Sequence, residues 1–153
     1  MASLLAWSST SSAKELTERW GAGLTLHDFQ RLPAISFRYG IAPNLNAEFL
    51  LGVDTNSAAG ATAIGVKIYR NAVVESQVNF FVGMGLHYLS QSLAGVTTSG
   101  YELDALMGAE FFLRGLENLG ILFETGLGYR SVGGTSLRTV GNGFLGAGIH
   151  YYF

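Results

Sequence analysis

The stretch Leu119–Ser131, LGILFETGLGYRS, alternates between two chemically different faces. Every second residue from its start is apolar or aromatic apart from one threonine: Leu119, Ile121, Phe123, Thr125, Leu127 and Tyr129. The intervening residues are mainly glycines and charged residues: Gly120, Leu122, Glu124, Gly126, Gly128 and Arg130. Because successive side chains of a β-strand point to opposite sides of the sheet, this period of two predicts a strand with one apolar face.

The same alternation recurs along the chain from Trp20 onward and is clearest in 77–88 and 101–114. It predicts eight strands, near residues 20–28, 34–42, 44–54, 61–70, 77–89, 101–114, 119–131 and 142–153. Each is long enough to cross a bilayer at a tilt of about 45°. An even number of antiparallel strands also suits a closed barrel.

The composition indicates a membrane-embedded surface. Only 13% of the 153 residues are charged, 48% are hydrophobic and 21 are glycine, whereas an ordinary soluble domain has roughly 25% charged residues. No apolar run approaches the ~18 residues that a transmembrane helix needs, so strands must make any crossing. The chain is therefore predicted to be all-β, an eight-stranded antiparallel up-and-down transmembrane β-barrel.

Charge and cysteine content exclude several classes of function. A formal net charge of −2 provides no basic field for nucleic acid, so no nucleic-acid partner is expected. The absence of cysteine excludes disulfides, thiolate chemistry and Cys-ligated zinc.

A soluble lipocalin-like binding barrel is the alternative fold, with the apolar face turned inward around a ligand. Its outer face would need many Lys, Glu, Ser and Thr side chains in contact with water. The polar face instead has glycines in the middle of its strands: Gly65, Gly83, Gly85, Gly108, Gly126, Gly128, Gly146 and Gly148. Since glycine makes room in a crowded lumen, the apolar face is predicted to contact lipid.

The polar face carries a small number of charges of both signs, and these predict a network of ion pairs inside the barrel. Its expected members are Arg38, Glu48, Lys67, Asp104, Glu110, Arg114, Glu124 and Arg130. Large residues on the same face are expected to fill the remaining lumen: Leu50, Phe81, Leu106, Phe112 and Phe144.

Aromatic residues and connections give the barrel two distinct ends. Tyr88, Tyr101 and Tyr129 are predicted to form one interfacial girdle, and Trp20, Tyr39 and Tyr151 the other. The connections at 42–44, 71–76 and 115–118 are short, while those at 89–100 and 131–141 are expected to be longer loops.

The last residues, GAGIHYYF, resemble the C-terminal signal by which bacterial outer-membrane barrels are recognised for insertion. Alternate positions back from the end are aromatic or apolar: Phe153, Tyr151, Ile149, Ala147 and Leu145. Together with the strands, residues 20–153 resemble the small barrels of the outer membrane protein A, OmpX and opacity-protein group. That resemblance implies a bacterial outer-membrane location, outer-membrane lipids as neighbours and the outer-membrane assembly machinery as a partner during insertion. The loops are shorter than those of adhesive members of the group.

Residues 1–19 are predicted to be a leader or a periplasmic segment, separate from the barrel at 20–153. Residues 1–12, MASLLAWSSTSS, are compatible with the tail of a secretory signal and with a flexible leader. Residues 13–19, AKELTER, are rich in charge and either cap the barrel mouth, dock a partner or form a solvated tail.

No residue pattern predicts catalysis, a cofactor or a metal. His27, His87 and His150 fall on the inward face but at different heights, so they do not converge on one metal. No outward-facing Ser and His pair occurs on adjacent strands, as a lipid-modifying enzyme resembling these barrels would require. The Gly-x-Gly runs at Gly83, Gly126 and Gly146 lie inside strands and do not open a helix.

Two functional classes remain. The first is a structural or scaffolding barrel with a side-chain-filled lumen and an unknown envelope partner. The second is a narrow pore for water, small ions or a hydrophobic solute or lipid. Neutralising Glu124 or Arg130 distinguishes them, since it lowers thermal stability if the charges pair and changes ion selectivity if they line a path.

Overall fold

The computed structural model describes residues 16–29, 32–56, 58–140 and 145–153. Within these ranges every regular element is a β-strand, and no helix long and apolar enough to cross a membrane is found. The nine strands are β1 (Trp20–Phe29), β2 (Leu32–Ala42), β3 (Leu45–Asp54), β4 (Ala61–Val74), β5 (Val78–Leu93), β6 (Val96–Leu113), β7 (Leu116–Val132), β8 (Thr135–Thr139) and β9 (Gly146–Tyr152).

The strands form one closed antiparallel sheet. Each of β1 to β7 pairs with its neighbour in the sequence, and β9 closes the ring by pairing with both β1 and β7. β7 pairs with β8 near one end and with β9 near the other. β9 lies within the predicted last strand at 142–153, and β8 precedes it. The two strands together occupy the eighth position, so the predicted eight-stranded barrel is confirmed.

The expectation of a long loop at 89–100 is wrong. β5 continues to Leu93 and β6 starts at Val96, so that only Ala94 and Gly95 connect them. Both residues have positive φ, 49° and 82°, as the tight type I′ hairpin turn requires. Hydroxyl pairs extend this hairpin: Ser99 donates to Ser90 over 3.0 Å, and Ser92 and Thr97 lie 2.6 Å apart. The Ser and Thr residues that indicated a loop are thus cross-strand partners.

The prediction of a second long loop, at 131–141, is also wrong for the first part of that range. β7 continues to Val132, and the glycine pair Gly133–Gly134 leads directly into β8. Residues 141–144 lie outside the described residues, as does the side chain of Phe144 that was expected in the lumen.

The outer face of the barrel is apolar. Exposed side chains alternate with buried ones along the strands, as in β3 and β4, and the exposed set includes Leu24, Phe37, Val66, Met84, Leu103 and Leu127. A soluble barrel of this composition would have these residues inside. The lipocalin-like alternative is therefore wrong, and the molecule has the surface of a transmembrane β-barrel.

Aromatic residues lie at both ends of this apolar surface. Trp20 packs on Tyr39 with ring centroids 4.7 Å apart, near the place where Phe153 donates its backbone N–H to the carbonyl of Trp20. We call this end the terminal rim. At the opposite end, the far rim, Tyr101 and Tyr129 have ring centroids 6.4 Å apart. Tyr88 pairs in register with Tyr101 at the far rim, and Tyr151 pairs with Ala22 near the terminal rim.

The spacing of the two rims suits a membrane. β5 starts with Val78 near the terminal rim and reaches Tyr88 at the far rim. Ten residues of strand tilted by about 40° rise by roughly 25 Å, which is the height of the apolar band in outer-membrane barrels.

Residues 16–19 form a short strap across the terminal rim. Thr17 makes a parallel bridge to Gly40, and the backbone N–H of Glu18 donates to the Gly40 carbonyl over 2.8 Å. The Leu16 side chain is buried against Phe112 and Tyr152. The guanidinium of Arg19 donates to the carbonyl of Tyr152 over 3.0 Å and also to Asn118. Residues 1–15, including most of the predicted leader, lie outside the described residues.

The strap can be released by one substitution. A Cβ on Gly40 would lie 1.8 Å from the carbonyl oxygen of Leu16, so Gly40→Ala should displace the strap while the barrel still folds. We expect trypsin to cleave after Arg19 about tenfold faster, as a loss of ~1.4 kcal/mol in local stability implies. The cleavage rate is measured by mass spectrometry on folded protein in detergent.

Gly95→Asn is the control, because Gly95 lies in the far-rim turn and a Cβ there meets nothing within 4 Å. Equal cleavage rates for wild type, Gly40→Ala and Gly95→Asn would contradict the strap contact.

Candidate functional site in the barrel lumen

A buried arginine on the inner face, near the terminal rim, is the centre of a cluster of polar side chains. Arg38 of β2 forms an ion pair with Glu48 over 3.1 Å through Nε and another with Glu110 over 3.0 Å through Nη1. Its guanidinium also lies over the Tyr69 ring, 4.4 Å from the ring centroid. All four side chains are buried, and the two carboxylates balance the charge of the arginine inside the barrel.

The position of these groups follows from strand register. Arg38 is directly opposite Glu48 in the β2–β3 pair, and Glu48 is directly opposite Lys67 in the β3–β4 pair. Glu110, by contrast, is on β6 and approaches from another part of the wall. The Arg38 side chain therefore connects strands that do not touch each other through their backbones.

A second buried ion pair joins Lys67 of β4 to Glu124 of β7. Tyr69 links it to the first cluster, because its hydroxyl lies 2.7 Å from Glu48 Oε2 and 3.0 Å from Glu124 Oε2. One hydroxyl hydrogen is thus shared between two carboxylates. This linkage makes the charged groups one continuous network.

Tyr152 and His150 of β9 complete this network. The Tyr152 hydroxyl donates to Glu110 Oε1 over 2.6 Å and accepts from Arg38 Nη1 over 3.4 Å. His150 Nε2 lies 2.5 Å from the Ser36 hydroxyl oxygen and 3.5 Å from Glu48 Oε1. The last strand of the ring is therefore attached to the others through the lumen as well as through its backbone.

A separate polar cluster lies nearer the far rim. His87 Nε2 is 2.8 Å from Asp104 Oδ2, and Arg130 forms an ion pair with Glu102. His87, Glu102 and Arg130 are paired in register across β5, β6 and β7. Arg130 is half-buried, while the other three are buried. Arg130 is therefore the member of this cluster that is partly accessible from solvent.

Glycines create the space that these side chains occupy. A Cβ on Gly65 would lie 2.0 Å from Nδ1 of His87, and one on Gly85 would lie 2.5 Å from its Nε2. The imidazole thus occupies space over Gly65 of the neighbouring strand β4 and over Gly85 of its own strand β5, where no side chain is present. The expected role of glycine on the inner face is seen directly here.

The structure places most of the predicted lumen charges inside the barrel. Arg38, Glu48, Lys67, Asp104, Glu110 and Glu124 are buried, and Arg130 is half-buried. Arg114 is the exception, because it is exposed in the turn between β6 and β7. The alternation of β6 ends at Leu113, so extending it by one residue wrongly assigned Arg114 to the lumen.

The predicted lumen network left out five buried groups, Tyr69, His87, Glu102, His150 and Tyr152, although His87 and His150 were correctly placed on the inward face. Glu102 lies on the same face of β6 as Asp104, so the alternation alone would have included it. Tyr69 of β4 also contacts Glu124 of β7, and Tyr152 of β9 contacts Glu110 of β6. These strands are not backbone neighbours, and no sequence pattern locates such partners. The side chain of His27 lies outside the described residues. Among the described residues, no group of three or more His, Asp or Glu is arranged to hold a metal ion.

The predicted C-terminal signal residues share the outer face. Leu145, Ile149, Tyr151 and Phe153 are exposed, and Ala147 between them is half-buried. Ile149 pairs with Leu24 of β1 and with Ile121 of β7. Their use as an insertion signal stays a prediction.

Two solved structures are similar to this chain. The N-terminal β-barrel domain of Pseudomonas aeruginosa OprF has a TM-score of 0.60 and 12% sequence identity, over 88% of this chain and 96% of that one. The chain has the fold of the small eight-stranded outer-membrane barrels. Neisserial surface protein A, NspA, has a TM-score of 0.52 and 16% identity, over 88% and 94% of the two chains. No protein-family model matches the sequence, and none of the curated proteins matches it.

The Arg38 pairs should contribute strongly to stability. Arg38→Met leaves Glu48 and Glu110 buried without their cation, and removing one partner of a buried pair typically costs about 3–5 kcal/mol. We expect a lower urea midpoint for unfolding in lipid vesicles, followed by the change in gel mobility on unfolding. Arg114→Met is the control, since an exposed substitution should change stability by less than about 0.5 kcal/mol. Equal midpoints for the two variants would contradict the buried network.

Lys67 and Glu124 should be energetically coupled. Lys67→Met and Glu124→Gln each leave one polar partner of the pair uncompensated, whereas the double variant removes both charges. We expect the double variant to be more stable than the sum of the single effects by about 0.5–3 kcal/mol, measured by the same unfolding assay. Lys67→Met combined with Arg114→Met should be additive, and additivity in the first pair would show that its two groups do not interact.

Proposed function

We propose that this chain is a structural barrel of the bacterial outer membrane whose lumen is closed by its own side chains. Its apolar exterior, its two aromatic rims and its likeness to OprF and NspA barrels support the location. The terminal rim then faces the periplasm, and the projecting β5–β6 hairpin is on the outer side. We also propose that the barrel is not an enzyme, because no residue pattern in the sequence predicts catalysis.

The observation that carries this proposal is that ion pairs cross the lumen. Arg38 on β2 reaches Glu110 on β6, and Lys67 on β4 reaches Glu124 on β7. An eight-stranded barrel is just wide enough for its interior to be filled by side chains. An ion passing along the axis would have to break these pairs in a low-dielectric interior, which is strongly unfavourable.

Apolar clusters near both ends of the polar interior support a closed lumen. At the terminal rim, Leu16 of the strap packs with Phe112 and Tyr152. A second cluster of inward residues includes Leu50 and Leu89, with Val132 near the far rim packed against it. These contacts support a closed lumen, and the roles we propose for such a barrel are to span the membrane and to present its two rims to envelope partners.

A narrow pore is the alternative, and one observation favours it. Several buried polar atoms have no hydrogen-bond partner among the protein groups, including Arg38 Nη2, Glu48 Oε1 and Glu102 Oε1. Buried polar groups of this kind are commonly satisfied by ordered water. A continuous line of such waters would provide a path for water or small ions.

Planar-bilayer recording tests the closed lumen. We expect no reproducible conductance steps from the wild-type protein, because the crossing ion pairs block the axis. A variant with Arg38→Ser and Lys67→Ser should conduct if it folds, since both long crossing side chains are removed. The heat-dependent change in gel mobility reports folding of each sample independently. Reproducible wild-type steps whose ion selectivity changes in Glu124→Gln would overturn the proposal in favour of the pore.

A further inference from the structure

The outer face of the barrel has a depression near the terminal rim. Ala109 of β6 points outward but is only 8% exposed, although its neighbours along the strand on that face, Met107 and Phe111, are well exposed. In register, Ala109 lies between Phe80 of β5 and Phe123 of β7. A small side chain between two large aromatic ones produces a groove whose floor is Ala109.

This groove has a volume of about 650 Å³ and is lined almost entirely by apolar side chains. It begins beside Phe111, which pairs with Val78 at the start of β5 near the terminal rim, and continues along the wall to Leu145. Ala72 also lines it, at a bulge where the β4–β5 register shifts between Asn71 and Val73. The bulge and the small residues at 72 and 109 make the wall concave here.

A positive charge lies beside the groove. Arg70 is exposed on the outer face of β4 and is paired across the strands with Val82, which lines the groove. On its other side Arg70 pairs with Leu45, the first residue of β3 after the terminal-rim turn. An arginine on a lipid-facing surface is costly at the centre of the bilayer but nearly neutral at the interface, where its side chain reaches the headgroups.

We propose that this groove binds one phospholipid of the leaflet at the terminal rim. An acyl chain lies over Ala109 between Phe80 and Phe123, and the phosphodiester accepts hydrogen bonds from the Arg70 guanidinium. The planar guanidinium fork matches phosphate geometry, and the adjacent groove runs from the interface toward the bilayer centre, as an acyl chain does. The site rests on the proposed membrane location and assigns a specific lipid contact to it.

A second copy of the chain fits this groove less well than a phospholipid does. Two-fold contacts place the same surface patch of both copies together, so two Arg70 side chains would enter one small apolar interface. Bringing like charges together in such a setting is unfavourable. A phosphodiester instead supplies the opposite charge at the edge of the groove.

Native mass spectrometry of the full chain with phosphatidylglycerol tests the site. Protein folded in detergent is titrated with this lipid, and the fraction carrying one lipid is measured. We expect Arg70→Gln and Ala109→Phe each to weaken the single-lipid adduct by about tenfold, since one removes the phosphate partner and the other fills the groove. Ala105→Phe, on the same strand and face, and Arg114→Gln, in the terminal-rim turn, are the matched controls and should bind like wild type.

The lipid-binding result tests the groove site, and it can be distinguished from the results that test the proposed function. Gel mobility of unheated samples reports whether each variant forms the barrel, and bilayer recording reports whether the lumen is closed, whatever the lipid result. Equal adduct levels in all folded variants, or no retained lipid in wild type, would overturn the groove site alone. A protein dimer that Ala109→Phe dissociates would assign the groove to self-association and would also overturn the lipid proposal.

Discussion

The buried charge of Arg38 constrains the rest of the lumen. A guanidinium cannot leave water without anionic partners, so Glu48 and Glu110 must approach it from two parts of the wall. Two carboxylates around one arginine need further donors, and the hydroxyls of Tyr69 and Tyr152 supply them. Lys67 then balances Glu124, the second carboxylate that Tyr69 contacts. These side chains therefore form one extended network, in which the charge or hydrogen-bonding need of each group is met by the next one.

This network also selects the strand register. In a lipid-facing barrel the apolar exterior gives little preference for one strand alignment over another, because lipid is as apolar as the side chains that it contacts. A slip of one residue would move every side chain of a strand to the other face. For β3 such a slip would place Glu48 in lipid and leave Arg38 without its nearest anion. The buried charges thus favour one alignment in a way that the apolar face cannot.

The sequence allowed the strands and their faces to be predicted, since a period of two is a local property of neighbouring residues. It correctly indicated that glycines on the inner face make room, as at Gly65 and Gly85 around His87. The prediction failed where the position or the partner of a residue is not determined by the residues next to it in the sequence. Arg114 follows the alternation of β6 but lies beyond the last residue of that strand, and the Ser and Thr residues of 89–100 pair with each other across a hairpin. The contact of Arg38 with Glu110 depends on the tilt and stagger of the closed barrel, which no short stretch of sequence encodes.

A closed lumen, as we propose, changes where specificity can lie in such a protein. Porins recognise solutes through residues that line an open channel, but here paired charges occupy inner-face positions and Leu16 of the strap is buried at the terminal rim. In the proposed barrel, recognition is left to the outer surface and the rims. On the outer surface the side chains are mostly large and apolar, so a concave site with a charge beside it differs from the rest of the wall. Small residues at 72 and 109 weaken the local packing of the exterior, and Arg70 adds a charge to a surface that otherwise contacts acyl chains. Both departures occur at the same place near the terminal rim, where the proposed membrane interface would supply phosphate and acyl chain together.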